Sequence, residues 1–376
     1  MKITNLHLKN YRNYIDMDIC FDSNLNIIVG NNAQGKSNIL ESIFVLALTK
    51  SYINVKDHYL INDEKEFSVI KGEFSTDDVE KELEVVITQN SKKLKVNHVE
   101  VKKYSDYISN VKVLIFSPYN VNFIKDGPSV RRKSINMVIS QYSNNYVKLL
   151  QNYNLILKKR NQYLKLIDYR KDYNRFYFDA LNNKFCMLCV DIVLERHRYV
   201  REINRFLGQI YYEITGYLGL SLNYISNVDF FSNKDEMVDK CRLKVDSFFD
   251  REITYGMTML GPHRDDFSFL LNNKDLAIFG SQGQIRAAIL SLKLAEVLIF
   301  KDRDDDYPIL LLDDIFSELD VEKRNRVMKY ILNDVQTIIT TTDVNLIDDD
   351  LVNASKLFVV KDGKIISDGK KECSDE

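Results

Sequence analysis

The sequence lacks several features that would place it in a membrane, in an export route or around a structural metal. No apolar run of 18 residues occurs in its 376 residues, so neither a membrane-spanning helix nor a membrane partner is predicted. The stretch Met1–Tyr14 has no apolar core of a secretory signal, which favours the cytoplasm. Cysteine is limited to five residues, and Cys186 and Cys189 have no second ligand pair for zinc, so core packing is predicted for both. Proline is absent between Pro128 and Pro262, which leaves room for long helices.

Charge is small overall but unevenly distributed. The formal net charge is −2, with 45% hydrophobic and 28% charged residues, ordinary values for a soluble globular protein of two or three domains. From Asp126 to Tyr212 there are 16 Lys and Arg against 7 Asp and Glu, whereas from Lys301 to Glu376 there are 11 against 19. The basic segment indicates a polyanionic partner, and a solvated helix surface stays open as the alternative.

Hydrophobic patterns predict an α/β chain with a helical insertion. Short apolar runs predict strands at 25–29, 111–118, 309–313 and 335–343, and patterns of helical period predict helices at 37–50, 283–300 and 321–332. Between residues 134 and 250 the apolar positions recur at helical spacing, as at Leu149, Tyr153 and Leu164. A helical insertion is therefore predicted there.

The segment GNNAQGKS, Gly30–Ser37, fits the pattern of a phosphate-binding loop. In such loops glycines let backbone N–H groups curl around phosphates, the lysine reaches the β- and γ-phosphates, and the serine hydroxyl ligates Mg²⁺. A strand precedes this segment and a helix follows, whose N-terminus favours an anion. The residues predicted to bind a nucleoside triphosphate, taken as ATP, are Gly30, Asn31, Asn32, Ala33, Gln34, Gly35, Lys36 and Ser37.

The run ILLLDD, Ile309–Asp314, places two carboxylates at the end of a buried strand. Asp313 is predicted to ligate Mg²⁺ together with Ser37. Asp314 is predicted to orient or deprotonate the attacking water, so Asp314 and Lys36 are the predicted catalytic residues. The long separation between this run and the phosphate-binding loop indicates that a segment of domain size interrupts one nucleotide site.

The segment SQGQ, Ser281–Gln284, begins a predicted helix, and the N-terminus of that helix is a second predicted anion-binding site. Its spacing alone does not assign it to the same phosphate. With SELD, Ser317–Asp320, these motifs resemble the ABC ATPase heads of the SMC and Rad50 class, in which SQGQ matches the signature motif and SELD the D-loop. The segment Asn10–Tyr14 matches the opening strand of that class.

Within that class the chain is similar to the RecF family of bacterial DNA replication and repair proteins. GPHRDDF, Gly261–Phe267, and the pair Arg131–Arg132 fit that family, and the resemblance covers essentially the whole chain. It implies an α/β fold: an ABC-type ATPase head, formed by a P-loop sheet with an antiparallel β subdomain, plus an inserted helical arm domain. The implied domains are residues 1–133 and 251–376 for the head and 134–250 for the arm.

The resemblance also implies a mechanism in which two heads sandwich two nucleotides. Ser281, Gly283 and Gln284 would then bind nucleotide across a homodimer interface, with Ser317 and Asp320 bridging it. An ATP-dependent dimer would clamp double-stranded DNA at single-strand gap junctions and help RecR and RecO to load RecA. Weak, DNA-stimulated ATP hydrolysis would release the DNA.

Four positions depart from the patterns that the resemblance implies. Tyr119 and Asn120 stand where acidic residues are expected, and Asn136 stands in place of an aspartate. Thr342 occupies the position at which transporter ATPases carry a switch histidine, which argues against a transporter subunit. A scaffold that binds ATP without hydrolysing it is the other alternative, and the retained lysine and carboxylates argue against it.

Two basic patches are candidates for contact with DNA phosphates. The patch Arg131–Lys133 has a second interpretation, in which its arginines brace the fold. The patch Lys158–Arg160 is predicted to lie exposed on a helix.

Overall fold

The computed structural model describes residues 1–22, 24–76, 79–170, 174–231, 233–315, 321–331 and 335–368. These form two compact units: the first comprises 1–121, 209–218 and 285 onward, and the second comprises 122–208 and 219–284. These bounds differ from the predicted domain boundaries, which lie between residues 133 and 134 and between residues 250 and 251. The predicted domain boundaries stay a prediction. Arg131 and Asp266, both assigned to the head by the prediction, instead pair inside the second unit.

Within the described residues the elements run as follows. The strands are β1 (Lys2–Tyr11), β2 (Tyr14–Cys20), β3 (Leu25–Val29), β4 (Phe67–Ser75), β5 (Glu80–Thr88), β6 (Lys92–Val96), β7 (Val99–Glu100), β8 (Val113–Phe116), β9 (Leu220–Ile225), β10 (Asp266–Leu271), β11 (Lys274–Asp275), β12 (Ile309–Asp313), β13 (Thr337–Thr341), β14 (Lys356–Lys361) and β15 (Lys364–Asp368). The helices are α1 (Lys36–Leu48), α2 (Tyr104–Ile108), α3 (Asn122–Lys125), α4 (Pro128–Tyr142), α5 (Asn144–Arg170), α6 (Arg175–Thr215), α7 (Lys234–Ser247), α8 (Phe249–Tyr255), α9 (Leu276–Phe279), α10 (Gln282–Asp304), α11 (Val321–Ile331) and α12 (Asp349–Ala354).

The first unit contains two six-stranded sheets. One has the order β15-β14-β3-β13-β12-β8 and is parallel except for β15, and the other, β2-β1-β4-β5-β6-β7, is antiparallel. The strands β8 and β12 are buried along their whole length, as expected for parallel strands covered on both faces. Helix α1 contacts β4 and β5 of one sheet and β8, β12 and β13 of the other. The helix that follows the phosphate-binding loop is therefore part of the hydrophobic core between the sheets.

The second unit is mainly helical, with α4, α5, α7, α8 and most of α6, and it also holds the three-stranded sheet β11-β10-β9. The helical insertion predicted over 134–250 also contains one strand, β9, that the sequence interpretation did not include. There Leu220, Leu222 and Tyr224 are buried while the residues between them are not, a period of two that favours a strand. Cys186 and Cys189 are fully buried in α6, so the predicted core packing is confirmed.

A buried arginine joins several segments of the second unit. Arg160 is 0% exposed, and its guanidinium donates to Glu252 at 2.5 Å, to Asn182 at 2.8 Å and to Thr258 at 2.8 Å. The predicted exposure of Lys158–Arg160 is therefore wrong for Arg160. Lys158 and its neighbour remain exposed, because they lie on other faces of α5.

Candidate functional site

The phosphate-binding loop connects β3 to α1 and has no room for side chains at its two glycines. A Cβ atom on Gly30 would lie 2.4 Å from the carbonyl oxygen of Val360. Gly35 has a φ of +107°, and a Cβ atom there would lie 2.4 Å from the amide nitrogen of Asn13. Both glycines are thus required by the surrounding backbone and side chains. Between them, residues 31–33 are exposed.

The middle of the loop is held by two turns that are distant in sequence. The Gln34 carbonyl oxygen accepts hydrogen bonds from the Asn13 side chain at 3.1 Å and from the Gly363 amide at 3.3 Å. The Gln34 side-chain oxygen accepts a further bond from the Asp362 amide. Gln34, predicted as a nucleotide ligand, therefore fixes the shape of the loop with its own side chain.

Lys36 lies at the first position of α1, where the ammonium group folds back over the loop. Its Nζ atom donates to the carbonyl oxygens of Gly30 at 2.6 Å and Asn31 at 2.9 Å. Burial lowers the pKa of Lys36, and the charges of Asp314 and Asp313 oppose that shift. The cation is held against the loop backbone, in the place expected for a lysine that contacts phosphates.

The Asp313 carboxylate ends β12 and receives three hydroxyl groups. Ser37 Oγ donates to Oδ1 at 2.7 Å, Thr340 Oγ1 donates to the same oxygen at 2.8 Å, and the Tyr52 hydroxyl donates to Oδ2 at 2.9 Å. Burial and the Asp313 charge raise the pKa of Tyr52, so its phenol stays protonated and donates. The two predicted magnesium ligands, Ser37 and Asp313, are thus brought together.

This arrangement fits a magnesium ion. Neighbouring oxygen ligands of an octahedral Mg²⁺ lie about 2.9 Å apart, because each stands about 2.1 Å from the ion. Ser37 Oγ and Asp313 Oδ1 are 2.7 Å apart, and both are oxygen donors of the kind that Mg²⁺ prefers. Tyr52 and Thr340 would hold the carboxylate in place from outside the ligand set.

Asp314 directly follows β12 and has a left-handed backbone with a φ of 49°. Its amide donates to the carbonyl oxygen of Thr340 at 3.2 Å and to the hydroxyl of Thr340 at 3.0 Å. Thr340 therefore fixes both carboxylate-bearing residues, since its hydroxyl donates to Asp313 and accepts from Asp314. The two predicted catalytic residues, Lys36 and Asp314, belong to the same unit and influence each other electrostatically.

The SQGQ segment belongs to the second unit, at the start of α10. The Ser281 amide donates to the Gln284 side chain at 2.9 Å, and the Gln284 amide donates to the Ser281 hydroxyl at 3.3 Å. This reciprocal pair is a capping box that shapes the helix start. A Cβ atom on Gly283 would meet nothing within 4 Å among the described residues, so no contact with them accounts for a glycine there.

Four further positions named in the sequence analysis are Ser317, Asp320, Asn120 and Thr342. Ser317 and Asp320 lie outside the described residues. Asn120, which departs from the expected acidic pattern, accepts the Ser117 amide at 2.6 Å through its side chain. Thr342 follows β13 and is partly buried.

Sequence reasoning did not identify Tyr52, Thr340 or Asn13 as site residues. Thr340 carried a usable signal, because it is a hydroxyl residue in the strand predicted at 335–343. Asn13 lies in the segment Asn10–Tyr14, which was matched to an opening strand and not to the site. Both Asn13 and Tyr52 lie in turns whose contacts only the fold reveals.

Comparison with known proteins places the chain in a family. Residues 2–365 match the model of the RecF/RecN/SMC N terminal domain. The DNA replication and repair protein RecF of Ligilactobacillus salivarius (strain UCC118) is 36% identical over 379 residues, covering 100% of each chain. The chain belongs to the RecF family.

Solved structures agree with membership of the RecF family. The structure of the recombination mediator protein RecF-ATP in the RecFOR pathway superposes with a TM-score of 0.90 at 30% identity, covering 98% of each chain. An Smc head bound to the C-winged helix domain of ScpA gives a TM-score of 0.53 at 16% identity, covering 97% of this chain and 98% of that one, and shows the fold alone. The predicted fold class, an ABC-type ATPase head with an inserted helical domain, is confirmed. Among the described helices, none has the length and apolar character needed to cross a bilayer.

Proposed function

We propose that this RecF-family chain is an ATP-dependent DNA-binding protein of recombinational repair and replication restart, acting in the cytoplasm. The observation that supports it best is the pairing of Ser37 Oγ with Asp313 Oδ1 at 2.7 Å beside the Lys36 ammonium. The hydroxyl and the carboxylate fit a magnesium ion, and the lysine fits the phosphates of the same triphosphate.

In this proposal the residues 30–37 bind the phosphates of ATP through backbone N–H groups and Lys36. Ser37 and Asp313 would hold Mg²⁺, and the ion would supply positive charge beside the phosphate oxygens. Asp314 orients the attacking water or accepts its proton, and Lys36 stabilises the transferred phosphoryl group. Turnover is weak and is stimulated by DNA.

The exposed start of α10 supports a second part of the proposal, a homodimer that forms only with ATP. Ser281, Gly283 and Gln284 bind the γ-phosphate held by the other copy. The open space around Gly283 supports close approach of another backbone or a ligand from outside the chain. A ligand that binds only the dimer shifts the equilibrium toward it, and hydrolysis reverses the shift.

The partners proposed for this dimer are double-stranded DNA, junctions with single-strand gaps, and RecR with RecO and RecA. The basic excess from Asp126 to Tyr212 supports DNA binding, because phosphate contacts from Lys and Arg dominate affinity for a duplex. The names of the family relatives support the repair role.

Gel filtration with and without Mg-ATP tests the proposal on three variants and the wild type. We expect the wild type to elute as a dimer only with ATP, and Lys36→Ala to stay monomeric because it binds ATP weakly. Ser281→Arg is expected to bind ATP as a monomer. Asp314→Asn is expected to dimerise and to hydrolyse ATP about 100-fold more slowly, because it keeps the binding residues and loses the base.

The variants test separate parts of the proposal, so one part can fail while another stands. A Ser281→Arg dimer would contradict the assignment of α10 to the interface while leaving the P-loop assignment intact. Unchanged hydrolysis by Lys36→Ala or by Asp314→Asn would contradict the catalytic assignments. ATP binding without any hydrolysis, with or without DNA, would favour the scaffold alternative.

A further inference from the structure

A cleft of about 220 Å³ in the second unit is separate from the residues assigned to nucleotide. Its polar lining comes mainly from the first turns of α4, from α5 and from one buried arginine of α6. The side chains that matter are Ser129, Arg132, Lys133, Asn136, Asn154 and Arg196. No Asp or Glu is among the described residues that line the cleft.

Two cations at the cleft have donor groups that the protein does not use. Arg132 donates through Nη1 to the Asp265 carbonyl oxygen at 2.6 Å, and its Nε and Nη2 groups have no acceptor in the described part of the chain. Lys133 is exposed and has no hydrogen-bond or ion-pair partner among the described residues. Burial and the like charge of Arg196 lower the pKa of Arg132, which an anion in the cleft would oppose.

The acidic residues of this region are already paired elsewhere. Asp266 receives two bonds from Arg131, at 2.7 and 2.9 Å. Asp265 accepts Arg196 at 3.2 Å and also the Tyr224 hydroxyl. Among the described residues, no carboxylate forms an ion pair with Arg132 or Lys133.

Asn136 adds an oriented donor. Its Oδ1 atom accepts from the Tyr146 hydroxyl at 2.7 Å and from the Arg196 guanidinium at 3.2 Å. A guanidinium can only donate, so the orientation of the Asn136 side-chain amide is fixed. Its Nδ2 group is then a donor that these two hydrogen bonds do not use. No acceptor for that group exists among the described residues. An aspartate at this position would accept the same two bonds but would bring a negative charge instead of a donor.

We propose that this cleft binds a phosphate dianion, either inorganic phosphate or the phosphomonoester at the end of a DNA strand. Arg132 and Lys133 supply two positive charges that match the dianion, and Asn136 supplies a neutral donor. Ser129 lies in the first turn of α4, where the helix dipole also favours an anion. The proposal does not depend on ATP or on the dimer.

Isothermal titration with inorganic phosphate at constant ionic strength tests the cleft. All proteins carry Lys36→Ala, so that any binding left at the P-loop is the same in each. We expect Asn136→Asp and Arg132→Gln each to weaken phosphate binding about tenfold, because each removes a charge-assisted contact or adds repulsion. Lys240→Gln, which removes an exposed charge on α7 at a residue that does not line the cleft, is the matched control and should leave the affinity unchanged.

Asn136→Asp keeps the acceptor for Tyr146 and Arg196, so it should stay folded even if Arg132→Gln does not. Wild-type affinity in Asn136→Asp, or no heat of phosphate binding in the parent protein, would overturn the proposal. A second titration compares DNA junctions that carry a 5′-phosphate or a 5′-hydroxyl. If the parent protein prefers the 5′-phosphate junction and Asn136→Asp loses that preference, the ligand of the cleft is a strand end. If both junctions bind equally while inorganic phosphate still binds, the ligand of the cleft is free phosphate.

Discussion

The first unit and the second unit each bury a carboxylate, but they surround it with different partners. Asp313 in the first unit receives hydroxyl groups from Ser37, Tyr52 and Thr340. Glu252 in the second unit receives the Arg160 guanidinium at 2.5 Å and the Met259 amide at 2.7 Å. Both side chains are almost completely buried.

The difference explains why one carboxylate is suited to a ligand and the other to structure. Hydroxyl donors orient Asp313 without neutralising it, so its charge remains available to a cation. The guanidinium neutralises Glu252 and fills its surroundings, which leaves no place for another cation. The identity of the donor, rather than burial, therefore distinguishes a candidate metal ligand from a structural ion pair in this protein.

Breaking the arginine pair is expected to have the largest effect on stability. Arg160→Met leaves Glu252 buried without a cation and should lower the free energy of unfolding by about 3–5 kcal/mol. Urea denaturation followed by circular dichroism measures this. The double variant Arg160→Met with Glu252→Gln should recover much of the loss, because it removes the uncompensated charge.

Lys159→Gln on the same helix is the control for that experiment. Its exposed side chain should change the free energy of unfolding by no more than about 0.5 kcal/mol. A loss of stability in the double variant as large as in Arg160→Met would show that packing around residue 160, rather than charge, is the cause.

The second unit should also respond to acid through His263. Burial lowers the pKa of His263 to about 4, helped by the charges of Arg264, Arg132 and Arg160 and opposed by the Thr258 carbonyl. The unfolded chain takes up the proton near pH 6.5, whereas the native protein resists it until about pH 4. Stability is therefore present above pH 6.5 and is lost as the pH falls toward 4.

We expect protonation of His263 to lower the free energy of unfolding by about 3 kcal/mol between pH 7 and pH 4. His263→Gln cannot titrate, so the wild type should lose that much more stability than the variant over the same range. Parallel pH profiles for the two proteins would contradict the assignment. Thermal denaturation at several pH values gives the comparison.

The smallest effect is expected at the hydroxyl that touches Asp313 from outside the magnesium ligand set. Tyr52→Phe removes one hydrogen bond of about 1 kcal/mol and should weaken Mg-ATP binding about fivefold. Tyr119→Phe is the matched control, because Tyr119 packs edge-on against Tyr52 at 6.4 Å and lies half exposed. Equal losses in both variants would indicate disturbed ring packing instead of a lost donor.

The sequence was most informative where local pattern and chemistry coincide. The strand, loop and helix around Gly30–Ser37 could be predicted because a phosphate-binding loop requires fixed residue types at fixed spacing. The buried strand before Asp313 followed from its continuous apolar run. These two motifs are brought together by β3 and β12, which lie on either side of β13 in one parallel sheet.

The sequence was least informative where a polar residue is satisfied by partners far away in the chain. Arg160 lies in a basic run and was predicted to be exposed, but its acceptors are 22 to 98 residues distant. The strand β9 is a different case, because the alternation of Leu220, Leu222 and Tyr224 is a local signal for a strand. Its pairing with β10, which lies beyond two further helices, is a property of the fold and cannot be predicted from a local pattern.

The connection between Gln34 and the turn at Asp362 has a consequence for the order of biosynthesis. The two residues are 328 positions apart, and β3 is flanked by β13 and β14, which come after the second unit in the sequence. A ribosome-bound chain therefore carries its phosphate-binding loop without the strands that shape it while the residues in between are made. Because contacts so distant in sequence form late, the nucleotide site can mature only after β14 and the turn at Asp362 have emerged from the ribosome.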